Sequence, residues 1–90
     1  MKLKKFCNIL LLFFIFVSCS YAQIPPAAED NFENGKVAYR AGDYVKSLDF
    51  FNKAIKLGIT SADAFFRRGL AYEKVGENQK ALEDYSKAIS

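Results

Sequence analysis

The chain has 90 residues, 51% hydrophobic and 26% charged, which excludes disorder throughout and leaves room for one small domain. Its formal charge of +3 comes entirely from Lys2, Lys4 and Lys5, because residues 23–90 carry ten basic and ten acidic side chains. That balance excludes a globally basic surface for nucleic acid or anionic lipid, and with no His anywhere and no Cys after residue 22, a Cys/His zinc site, a disulfide and Cys–His or Ser–His–Asp catalysis are excluded there too.

Residues 1–22 have the pattern of an export signal. Met1 to Lys5 is cationic, and Phe6 to Val17 is a run of twelve residues that is apolar except for Asn8. Twelve is short of the about 20 needed to span a bilayer, so a secretory signal peptide is expected. Small residues at Ser20 and Ala22 suit cleavage between Ala22 and Gln23. A second reading turns on Cys19: Phe16-Val17-Ser18-Cys19 resembles a bacterial lipoprotein processing site, though such sites prefer Leu where Phe16 stands. An uncleaved anchor is the third. Cys7 reads as an ordinary apolar residue of the signal.

Residues 23–27, with Pro25 and Pro26 in tandem, read as an extended spacer, because proline cannot continue a helix. Beyond them the sequence repeats. Residues 28–56 laid over 62–90, an offset of 34, give nine identities in twenty-nine: Ala28/Ala62, Phe32/Phe66, Gly35/Gly69, Gly42/Gly76, Lys46/Lys80, Leu48/Leu82, Lys53/Lys87, Ala54/Ala88 and Ile55/Ile89. Composition alone would give roughly two. Glu29/Asp63, Arg40/Lys74, Asp43/Glu77, Asp49/Glu83 and Phe51/Tyr85 are conservative pairs.

Each copy, residues 28–61 and the shorter 62–90, predicts two helices. Leu48, Phe51, Ala54 and Ile55 recur at helical spacing, as do Leu82, Tyr85, Ala88 and Ile89. Gly42 and Gly76 stand where a helix should stop. Asp43 is the expected cap of the following helix, and Thr60 or Ser61 that of the second copy, with Thr60 and Asp63 spaced as a capping box. A Gly within a helix costs about 1 kcal/mol relative to Ala. Its recurrence at Gly35 and Gly69 predicts a close approach between paired helices, which Ala54 and Ala88 fit.

These residues at this period resemble the tetratricopeptide repeat. Gly69-x2-Tyr72, Gly42-Asp43-Tyr44, Ala81-x3-Tyr85-x2-Ala88 and Ser47-x3-Phe51-x2-Ala54 carry the likeness over residues 28–90. Departures are Asn31 and Phe65 for Trp, Asn34 and Arg68 for Leu, Ala38 for an aromatic and Ile59 for Pro. The resemblance implies an all-α fold, a right-handed α-solenoid of helix–turn–helix repeats. It also implies a concave face lined by the first helix of each pair, where a protein or peptide segment docks. By alignment its exposed positions are Glu29, Phe32, Lys36, Tyr39 and Arg40 in the first copy, and Asp63, Phe66, Leu70, Glu73 and Lys74 in the second. Phe32 and Lys36 stand where a chaperone-tail clamp would have Lys and Asn, so no such clamp is expected.

Each of these has a plainer reading. Phe32 and Phe66 suit packing against a neighbouring helix as well as anchoring a ligand. Arg67-Arg68 suits a solvated face better than a phosphate grip, and Glu83-Asp84, adjacent on a helix, point apart rather than around a cation. About three repeats are needed for a stable stack, and nothing follows Ala88-Ile89-Ser90 to cover the last helix. The expectation is therefore a chain that continues past Ser90, or one that pairs with a second copy. The reading is an exported, non-catalytic interaction module without a cofactor, touching a membrane only through Cys19 or an uncleaved signal. The alternative is the docking or sensor part of a longer enzyme or signalling protein.

Overall fold

The structure, a computed structural model, describes residues 24–90; the export signal, Cys19 and the Ala22–Gln23 cleavage position lie outside the described residues. The described residues form four α-helices and no strand: α1 (Pro26–Arg40), α2 (Tyr44–Lys56), α3 (Ala62–Lys74) and α4 (Asn78–Ile89). The helix pairs are α1 with α2 and α3 with α4, joined by short turns. They stack through α2 and α3 into an all-α helical-repeat solenoid of two units.

Pro25 is extended, with φ −72° and ψ 155°, and Pro26 opens α1. A proline lacks only an N–H that the first turn leaves unpaired anyway, and its fixed φ is already helical. The spacer expected over 23–27 therefore gives up Pro26 and Ala27 to the helix.

Three helices end in the same turn. Gly42 and Gly76 take φ of +83° and +86°, where a Cβ would be strained. The amide of Asp43 bonds back to the carbonyl of Ala38 and that of Gly42 to Tyr39; Glu77 and Gly76 bond likewise to Tyr72 and Glu73. Each pair of bonds uses carbonyls the helix leaves free. Gly58, which the repeat alignment does not single out, closes α2 in the same way. Asp43 caps α2 by accepting from the Lys46 amide at 3.2 Å. Ser61, not Thr60, caps α3, accepting from the Ala64 amide at 3.2 Å. That register puts Ala64 where the acid of a capping box would stand, so the Thr60–Asp63 box does not form. The Asp63 carboxylate instead faces Arg67 at 3.0 Å.

The core lies between the first pair and α3. Phe32, Phe51, Ala54, Ala64 and Ala71 are buried together, with Tyr39, Leu48, Ile55 and Ile59 packed around them. The close approach expected at the helical glycines is present. A Cβ on Gly35 would sit 2.6 Å from the Phe51 ring, and one on Gly69 would sit 2.7 Å from the Tyr85 ring and 3.3 Å from the Ala81 carbonyl. The fully buried Ser47 adds a bond across the first pair, its hydroxyl donating to the Gly35 carbonyl at 2.8 Å. Ala81 holds the matching place in the second pair.

Candidate functional site

Helices α1 and α3 lie on the same side of the stack, and a small cleft of about 60 Å³ opens between them. Lys36, Tyr39 and Arg40 come from α1, Arg67 and Leu70 from α3, and the Phe51 ring of α2 forms the floor. Helical spacing explains the set. Lys36, Tyr39 and Arg40 follow one another by three and one, and Arg67 and Leu70 by three, so each group lines one stripe. Tyr39 is fixed by an edge-on contact with Tyr44, ring centres 5.1 Å apart. Lys36 lies 4.9 Å above the Phe32 ring and pairs with Glu33 at 2.6 Å. Arg67 pairs with Asp63, whereas Arg40 is exposed and makes no ion pair among the described residues.

Four of the ten residues expected on this face, Lys36, Tyr39, Arg40 and Leu70, meet in the cleft. Phe32 does not belong there. It is buried at 7% exposure against Phe51, ring centres 5.8 Å apart, and serves the core. Glu29 lines a separate hollow with Ile24 and the turn from Gly58 to Ser61. Asp63 and Phe66 line the end of the stack, Glu73 accepts a hydrogen bond from the Tyr85 hydroxyl at 2.6 Å, and Lys74 lies 5.8 Å from the Tyr44 ring. Partial burial and the bond to Glu73 push the Tyr85 phenol up to about 12, so it stays neutral and donating at neutral pH.

Arg67 and Arg68 divide in function. Arg67 joins the cleft. Arg68 is turned inward, and its Nε and Nη2 each donate to the Asp84 carboxylate at 2.7 Å, while Nη1 donates to Asn52 at 3.1 Å. The hydrogen bond to Asp84 outweighs partial burial and raises the Arg68 pKa above its ordinary value. The solvated-face expectation for Arg68 is thereby corrected, and Asp84, 2% exposed, is an internal ion-pair partner. A signal for this pair exists in the alignment. Residues 68 and 84 stand where the first copy has Asn34 and Phe50, so two neighbours change together from polar–apolar to cation–anion.

An opening of about 480 Å³ lies between α3 and α4 at the end of the described residues, lined by Ala62, Asp63, Phe66, Tyr85, Ala88 and Ile89. Ala54 is fully buried and Ala81 2% exposed, but Ala88, which lines this opening, is only half-buried. None of the helices described is long and apolar enough to cross a membrane.

Comparison with known proteins agrees with this architecture. The tetratricopeptide repeat family profile matches residues 62–90. A tetratricopeptide repeat protein 36 homolog of Nematostella vectensis is 45% identical over 49 residues, covering 54% of this chain and 27% of the relative. An uncharacterized protein of Methanocaldococcus jannaschii is 33% identical over 63 residues, covering 70% of this chain and 73% of the relative. A protein of Pisum sativum, translocon at the outer membrane of chloroplasts 64, is 36% identical over 64 residues, covering 71% of this chain but 11% of the relative. Residues 62–90 belong to the tetratricopeptide repeat family, and the first helix pair repeats their architecture, with the same glycine contact, at the offset of 34.

Proposed function

We propose that the protein is a non-catalytic docking module that holds a segment of a partner protein against the side formed by α1 and α3. Repeats of this family generally mediate protein–protein contact, and the observation that carries the reading here is the cleft between the two first helices. It combines an apolar floor of Phe51 and Leu70 with the hydrogen-bonding and charged groups of Tyr39, Arg40 and Arg67. Polar groups around a small apolar floor orient a bound chain, while the floor supplies the gain from excluding water.

The test is to select a binding peptide from a displayed library against the purified protein and map it by amide chemical shifts. Shifts should concentrate on Lys36–Arg40 and Arg67–Leu70, and Arg40→Glu should weaken the peptide at least about tenfold. Shifts confined to other surfaces would move the site off this face.

The proposal extends to location. The cationic start, short apolar run and small residues before Gln23 support export, with lipidation at Cys19 as the rival outcome. A second reading, the docking half of a longer protein, draws support from two relatives in which the matched stretch is 27% and 11% of the length. One intact-mass measurement on the protein from its own cells separates these. A chain from Gln23 to Ser90, a lipidated chain from Cys19 and a much heavier species have different masses.

A further inference from the structure

Arg67 and Arg68 are neighbours on α3 that serve different sides of it, because consecutive helical residues point about 100° apart. Arg67 lines the cleft against α1, and Arg68 reaches away from it to α4 and α2. The Arg68 guanidinium is held firmly. Asp84, 2% exposed, accepts from Nε and Nη2 at 2.7 Å each, and the rings of Phe65 and Tyr72 each lie 5.6 Å from its central carbon. With two prongs fixed, the third N–H group, Nη1, is aimed at the side-chain oxygen of Asn52 on α2, 3.1 Å away. Among the described residues this is the one side-chain hydrogen bond that crosses from the first helix pair to the second.

The rest of that junction is chiefly apolar, with Ala64 and Ala71 of α3 buried together with Phe51 and Ala54 of α2. Apolar burial is non-directional, so it resists separation of the pairs more than rotation of one against the other. A hydrogen bond weakens steeply once its angle is lost, and so it does select an orientation. Lys74, 5.8 Å from the Tyr44 ring, makes a looser second tie between α3 and α2. Because α3 carries Arg67 and Leu70, its orientation against the first pair decides where these stand opposite Lys36, Tyr39 and Arg40. We infer, on the docking reading proposed above, that Asn52 is a positioning residue for the cleft: through Arg68 it fixes the angle between the two helix pairs, and so holds the cleft at the width that a partner segment meets.

Asn52 is exposed and does not line the cleft, so it can be changed without touching the core or the site. Asn52→Ala removes the acceptor and improves helix propensity, which keeps the fold. Asn52→Asp retains an acceptor oxygen for Nη1 and is the conservative control. Residual dipolar couplings of the backbone amides read the angle between the pairs in the purified protein with no ligand present. Asn52→Ala should change that angle, and Asn52→Asp should preserve it. The peptide selected against the parent protein is the probe of the cleft. Asn52→Ala should weaken it about two- to tenfold, the range open to one hydrogen bond, with the melting temperature retained, and Asn52→Asp should restore it. Couplings in Asn52→Ala that match the parent's would overturn the inference. So would a peptide that maps to the cleft and ignores Asn52→Ala, or a loss of affinity that Asn52→Asp does not restore. A peptide that maps to another surface would instead sink the docking reading, and the positioning role with it.

Discussion

Arg68 and Asp84 form a two-pronged ion pair, both N···O distances 2.7 Å, that ties α3 to α4 from inside the second repeat. Its partners are unequal: Asp84 is sealed at 2% side-chain exposure, and Arg68 keeps 14% and a third bond to Asn52. Removing Asp84 leaves a cation facing a dry wall. Asp84→Ala should cost about 2 to 3 kcal/mol, at or below the low end for a broken buried pair, because Arg68 retains Asn52 and some water. The melting temperature should fall by roughly 10 °C or more. Replacing the pair by its first-copy counterpart, Arg68→Asn with Asp84→Phe, should recover most of that loss, since no charge is then left buried. A double variant less stable than Asp84→Ala would show that the two repeats pack differently at this layer.

The two helical glycines predict an ordered pair of effects. Adding a methyl group at Gly35 drives it to 2.6 Å from Phe51, whose ring is 1% exposed and cannot retreat. At Gly69 the obstacle is chiefly Tyr85, which borders the open groove and has somewhere to go. Gly→Ala gains about 1 kcal/mol of helix propensity in both cases. Gly35→Ala should nonetheless be destabilised by about 1 to 3 kcal/mol, and Gly69→Ala by clearly less. Urea unfolding of the two variants checks the order. A larger loss at Gly69 would mean that the Ala81 carbonyl, not the tyrosine ring, sets the limit.

Much of this layer was legible because it recurs. Gly35 and Gly69, Gly42 and Gly76, and Phe51 and Tyr85 appear twice at one spacing, and a feature that occurs twice must satisfy the same geometry twice. What recurs imperfectly was harder to read. Phe32 and Phe66 are identical in sequence, yet one is core and the other half-open, because among the described residues only the first has a repeat stacked on it. Their difference belongs to position in the stack and leaves no mark on either residue. Arg68 and Asp84 escaped because each, judged singly, is an ordinary surface residue on a helix; only their joint replacement of Asn34 and Phe50 shows that they meet. Gly58 ends α2 without a counterpart to flag it. Of the expected partner-binding face, the cationic and tyrosine positions of α1 were placed together, and Arg67, set aside as solvated, joins them from α3.

The Tyr85–Glu73 hydrogen bond predicts a specific loss of stability in alkali. The phenol rises from its ordinary 10.0 to about 12 on folding. Because the folded state holds the proton more tightly, this contribution is complete below about pH 10 and disappears as pH climbs through about 12. Tyr85→Phe has no proton to lose. Between pH 9 and 12 the melting temperature of the parent protein should therefore fall more steeply than that of Tyr85→Phe. Lysine titration is common to both and cancels in the comparison. Parallel curves would mean that the Tyr85 hydroxyl is not held by Glu73 in solution.

Ser47 and Ala81 offer the most direct test of equivalence between the two repeats. Ser47 donates to the Gly35 carbonyl from a fully buried position, and Ala81 stands at the same place against Gly69, 2% exposed. Ser47→Ala removes the donor but leaves the Gly35 carbonyl its bond within α1, so a loss of about 1 kcal/mol is expected. The reverse change, Ala81→Ser, puts a hydroxyl where the Gly69 carbonyl can accept from it. A buried hydroxyl without a partner costs about 1 to 3 kcal/mol, whereas a satisfied one costs little or adds stability. If the second pair copies the first, Ala81→Ser should change stability by less than about 1 kcal/mol. A loss larger than that in urea unfolding would place the α3–α4 backbones too far apart, or too close, for the bond made across α1 and α2.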